Sequence, residues 1–163
     1  KNGLLLETDS IVEKDGQKGV YVVNVLGTPK FVPVSILASD GKTTAVEKNQ
    51  YFDSELTEFS KALELLPKPD YMWEAATWLY GSIGDMYFQL NDYSASLDCF
   101  MKAQKCPDGM GNPFICVRIG ECFFELGNIE KAKQYLMQAY MLEGEEIFLD
   151  ADPKYLALIL PLI

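Results

Sequence analysis

The sequence predicts a mainly α chain: stacked antiparallel helical hairpins, about two and a half of them plus a capping helix, preceded by a small antiparallel β segment. Three observations carry this. Ile83-Gly84-Asp85-Met86-Tyr87-Phe88 recurs 36 residues later as Ile119-Gly120-Glu121-Cys122-Phe123-Phe124. A period of that size, with an aromatic shortly after a Gly, marks stacked helical hairpins. Residues 1–53 instead carry β-branched and aromatic runs separated by tight-turn signals. Charge also divides the chain, with 6 Lys against 7 Asp/Glu in residues 1–53 and 8 Lys/Arg against 17 Asp/Glu in residues 54–163.

Four short strands are expected in the first part. Ser10-Ile11-Val12-Glu13 opens it, and the turn residues Asp15-Gly16 lead into Gly19–Val25. Gly27-Thr28-Pro29 precedes a strand over Lys30–Leu37, whose Pro33 suits an edge position because it lacks a ladder donor. Ser39-Asp40-Gly41-Lys42 turns the chain into Thr43–Glu47. Helices follow. Ser54 reads as an N-cap, with Leu56, Phe59, Leu63 and Leu66 on one face and Pro67-Lys68-Pro69 as the stop. Tyr71–Leu90 forms a helix or a helix pair, then Tyr93–Lys105 a helix and Pro107–Asn112 a loop. Pro113 starts Phe114–Leu126, and Glu130–Leu142 ends at Gly144 as a C-cap. Pro153–Leu160 is a short apolar helix that covers the end of the stack.

Composition restricts the chemistry. The chain has no His, so it can build neither an imidazole base nor a Ser-His or Cys-His nucleophile. Gly109-x-Gly111 lacks the strand and the Lys-Ser/Thr of a phosphate loop. Cys99, Cys106, Cys116 and Cys122 show no metal-ligand spacing and read as reduced, packed thiols of a cytoplasmic-type domain. Neither a catalytic residue, a metal nor a cofactor is expected. A net charge of −10 disfavours nucleic acid and anionic membrane, and it favours a cationic partner. The apolar stretch Leu4-Leu5-Leu6 is too short for a signal peptide, and no run is long enough to span a bilayer.

Two resemblances follow from these residues. The helical part resembles the tetratricopeptide repeat family. Tyr80-x2-Ile83-Gly84-x2-Tyr87 with Ser96, Phe100, Ala103 and Pro107 forms one unit, and Cys116-x2-Ile119-Gly120-x2-Phe123 with Ala132, Leu136, Ala139 and Gly144 the next. Its texture also looks like a group of small bacterial repeat proteins. The run Ser10–Val23 followed by Phe31-Val32-Pro33-Val34 resembles the C-terminal β-domain of membrane-fusion (periplasmic adaptor) proteins of the hemolysin-secretion type, which implies a cell-envelope origin for that segment. Phe59-x2-Ala62 before Pro67 matches the second helix of a repeat whose first helix is replaced by strands. The expected division is therefore a β segment over 1–53 and a repeat domain over 54–163, with Asp53-Ser54 as a junction between unrelated sequences, such as a fusion.

The repeat resemblance implies that first helices line a concave groove. It places Trp78, Ser82, Asp85, Phe88 and Gln89 there from one unit and Phe114, Val117, Arg118, Glu121 and Glu125 from the next. Aromatics among carboxylates suit a peptide or protein partner with a basic surface, the rings anchoring and the charges steering. The expected function is thus non-enzymatic protein binding. The alternatives are neutralisation of a toxin and a part in an envelope secretion assembly. The apolar face of residues 55–66 adds an expectation of self-association.

Overall fold

The computed structural model describes residues 3–23 and 29–163; Asn24, Val25, Gly27 and Thr28 of the expected strand and turn lie outside the described residues. The chain divides into two compact units, Lys1–Ala62 and Leu63–Ile163.

Among the described residues the first unit holds six strands, β1 (Gly3–Glu7), β2 (Val12–Lys14), β3 (Gln17–Val23), β4 (Pro29–Pro33), β5 (Ile36–Ser39) and β6 (Thr43–Glu47). They form two three-stranded antiparallel sheets, ordered β1-β6-β5 and β2-β3-β4. Asp15 and Gly16 both take positive φ between the paired Lys14 and Gln17, the backbone a two-residue hairpin turn demands. Two expectations are corrected. The first apolar run, Leu4-Leu5-Leu6, is part of a strand paired to β6. The single strand expected over Lys30–Leu37 is two strands in different sheets. Pro33 has no N–H to offer a further strand, which suits the place of β4 at the edge of its sheet. Val20, Val32, Val34 and Val46 then form a core common to both sheets, with Leu6 and Ile11 packed against it. A Cβ on Gly19 would collide with the Phe31 ring and the Val32 carbonyl, so β3 needs glycine there.

Helix α1 (Lys48–Leu65) follows β6 without a loop, so Asp53 and Ser54 lie inside a helix instead of between elements. Lys48–Asp53 contains neither Pro nor Gly, and nothing stops the helix from extending back to Glu47. The side chain of Ser54, expected as an N-cap, lies outside the described ones.

In the second unit, α2 (Glu74–Gln89) pairs with α3 (Tyr93–Ala103) and α4 (Pro113–Glu125) with α5 (Ile129–Glu143). The final helix, α6 (Pro153–Ile159), packs against α5. The two hairpin turns repeat atom for atom in kind. Asn91 and Gly127 take positive φ, after which Asp92 and Asn128 accept hydrogen bonds from the amides of Ala95 and Lys131 as N-caps. Helices within each hairpin approach closely because of one glycine. A Cβ on Gly84 would meet the Phe100 ring at 2.9 Å, and one on Gly120 would meet Leu136 Cγ at 2.7 Å. Buried Ser96 donates to the Gly84 carbonyl at 2.8 Å, and the Cys122 thiol lies 3.2 Å from the Ser96 hydroxyl. All four cysteines are free thiols; Cys99 is half-buried and the other three are buried.

Candidate functional site

Helices α2 and α4 are the first helices of successive hairpins, so residues 36 apart hold equivalent places: Trp78 with Phe114, Ser82 with Arg118, Asp85 with Glu121, Gln89 with Glu125. The equivalence orders what is open to solvent. Trp78 is 74% exposed and Phe114 41%. Ser82, Asp85, Phe88 and Gln89 are half-buried. Val117 is buried with Phe148, Tyr155 and Ile159, and Glu121 is only 1% exposed, so these two support the face from beneath.

Arg118 joins the two helices. Its Nη2 lies 2.6 Å from Asp85 Oδ1 on α2, and its Nη1 donates to Glu121 Oε2 at 2.9 Å on α4. The guanidinium also lies over two rings, 4.9 Å from the centroid of Phe88 and 5.4 Å from that of Phe114. Burial acts to discharge Arg118, but the Glu121 and Asp85 carboxylates outweigh it and raise its pKa, so it stays a cation. Burial raises the pKa of Glu121, and Arg118 offsets part of that. Among the described residues, Asp85 Oδ1 and Arg118 Nε are buried without a hydrogen-bond partner; the Asp85 contact is an ion pair off hydrogen-bond geometry.

Glu125 is engaged elsewhere. It accepts a hydrogen bond from the Tyr155 hydroxyl at 2.8 Å and pairs with Lys154 at 2.9 Å, both on α6. Burial, then the bond to Glu125, pushes the Tyr155 phenol up. Lys154 and Tyr155 escaped sequence reading, although the signal was present: Tyr155 and Ile159 lie 36 residues beyond Ile119 and Phe123. Burial likewise pushes the Cys122 thiol up to about 12. Among the described residues no group of three His, Cys, Asp or Glu side chains is placed to hold a metal, and no helix is long and apolar enough to cross a membrane.

Known proteins now bear on this geometry. A family model described as tetratricopeptide repeat matches residues 79–105 and 115–145. Those segments are tetratricopeptide repeats. Both lie in the second unit, and each takes in most of one hairpin, α2–α3 and α4–α5. Among solved structures, the chain is similar to the type III secretion chaperone SycD of Yersinia enterocolitica, solved in complex with a peptide of the translocator YopD. That match has a TM-score of 0.52 at 15% identity and covers 68% of this chain and 82% of that one. No curated protein matches the chain. Within the matched segments, Gly84 and Gly120 are the close-approach positions; the exposed Trp78 and Phe114 lie one residue before each segment.

Proposed function

We propose that this chain is a non-enzymatic protein-interaction module whose repeats bind a peptide or protein segment on the face formed by α2 and α4. The observation that carries the reading is the pair Trp78 and Phe114, large aromatics left exposed at equivalent positions of the first helices of consecutive hairpins. Two exposed rings on adjacent helices are the kind of anchor that dominates binding energy at interfaces. A bound segment would present apolar side chains spaced to reach both rings at once. The SycD complex, in which a repeat fold of this kind holds a translocator peptide, supports the class of ligand.

The charges refine the picture. Arg118 is shared between Asp85 and Glu121, and Lys154 between Glu125 and Asp152, so each carboxylate already faces a cation of the chain itself. Carboxylates held this way are poor direct contacts for a basic partner. The net −10 of the chain acts at longer range, raising the on-rate of a cationic segment more than its final affinity.

A displayed library of 15-residue peptides, selected on the full chain, tests the proposal. Enriched peptides should bind wild type at least about 30-fold tighter than a Trp78→Ala variant, the loss expected of one anchoring aromatic. Peptides that bind wild type and Trp78→Ala/Phe114→Ala equally well would place the interaction elsewhere.

A further inference from the structure

We infer that α6 is a removable strap seated in a second helix-binding cleft, on α4 and α5, and that this cleft accepts other helices carrying the same side-chain pattern. The inference does not rest on the groove proposed above. Helix α6 has seven residues, well short of the about 12–15 at which an isolated helix begins to persist in water, so its structure depends on docking. Its attachment is compact. Tyr155 and Ile159 are buried beside Cys116, Val117, Leu136 and Ala139, and the Tyr155 ring meets Phe124 edge-on at 5.4 Å. The Tyr155 hydroxyl and the Lys154 amine converge on one carboxylate, Glu125, and Lys154 also lies over the Tyr155 ring.

Position within the repeat explains why the cleft exists. Tyr155 and Ile159 stand where Ile119 and Phe123, and before them Ile83 and Tyr87, stand in the first helices of the two repeats. Helix α6 thus occupies the seat of a third first helix. The close-approach glycine is missing, since Leu156 is the counterpart of Gly84 and Gly120. At both of those positions even a Cβ would press on the second helix of the hairpin. A second helix cannot dock onto α6 in the same way, so among the described residues α6 is held by α4, α5 and the turn that carries Phe148, which shares its core. The recognised partner is defined by what now sits there: an amphipathic helix with adjacent Lys and Tyr, and an apolar residue one turn beyond.

The cleft has its own reporter. Cys116 lies in the α6 core, whereas Cys122 lies in the separate core with Phe100 and Ile119; both thiols are fully buried. The experiment alkylates the full chain under native conditions and follows each cysteine by peptide mass. Strap opening predicts that Cys116 reacts at least about tenfold faster than Cys122. It also predicts that Tyr155→Phe, which removes one hydrogen bond to a charged group, speeds Cys116 by a further factor of roughly ten and leaves Cys122 unchanged. A fluorescent peptide of residues 145–163 should bind a Lys154→Ala/Tyr155→Phe variant saturably, and bind less when it carries the same two changes. Co-labelling of the two thiols at one rate, in wild type and Tyr155→Phe alike, would mean that the core opens only with the whole unit and would overturn the strap. Failure of the wild-type peptide to bind the double variant would overturn the cleft.

Discussion

Adding a methyl group to a helix glycine should have opposite effects at two positions of this fold. Within α2, a Cβ on Gly81 meets no heavy atom within 4 Å, whereas in α4 a Cβ on Gly120 meets Leu136 Cγ at 2.7 Å and the Leu136 backbone nitrogen at 3.0 Å. Replacing helical Gly by Ala gains about 0.5–1 kcal/mol of backbone entropy and propensity when space is free. Gly81→Ala should therefore stabilise the repeats by about that amount. At Gly120 the same gain opposes overpacking that costs about 1–3 kcal/mol, and the backbone contact puts it near the upper end. The expected net loss is about 2 kcal/mol. Gly84→Ala should fall between the two, because its clash at 2.9 Å is with the Phe100 ring alone. Urea unfolding followed by circular dichroism at 222 nm measures all three against wild type. A Gly120→Ala variant as stable as Gly81→Ala would refute the claim that this glycine sets the distance between the helices of its hairpin.

Further outcomes follow from the charge network and the thiols. Arg118→Ala strands buried Glu121 and should cost about 3–5 kcal/mol in thermal or urea unfolding, part of it recovered by adding Glu121→Gln; full additivity of the two changes would deny their coupling. Leu136→Ala removes a fully buried side chain between Gly120 and the α6 core and should cost about 2–5 kcal/mol on the same assay. Alkaline pH should destabilise the fold. Burial holds the Cys122 thiol at about 12 against an ordinary 9.0, so the native state keeps a proton that the unfolded chain releases. Its contribution is complete below pH 9 and declines as pH rises toward 12, by about 1.4 kcal/mol per pH unit through this group alone. Urea midpoints measured from pH 8 to 11 should fall, and fall less in Cys122→Ala; a flat profile in wild type would contradict the burial of that thiol.

The helical architecture was legible because its signals are local and repeated. The 36-residue interval fixed both hairpins, Pro113 and Gly144 marked helix ends, and the glycines at 84 and 120 announced the close approach that the structure contains. Pairing in the β unit was less legible. Splitting the Lys30–Leu37 run between two sheets depends on long-range partners, Gly19 for Pro33 and Val46 for Ile36, that no local pattern names. The start of α1 was missed because Asp53-Ser54-Glu55 looks like a cap from sequence, while helix-permissive residues continue back to Lys48. The candidate face was legible only in outline. Spacing alone put Asp85, Arg118, Glu121 and Glu125 on the first helices. It could not say that Arg118 pairs with two of the carboxylates, or that Glu125 is held by residues 29 and 30 positions further on.

The most direct test of the binding proposal is a 1H–15N chemical-shift titration of the full chain with a peptide enriched by the display selection. The account predicts that the largest changes gather on α2 and α4, at Trp78, Ser82, Gln89 and Phe114, with the Trp78 indole signal among the first to move. Changes confined to α3 and α5, or to residues 3–62, would contradict it.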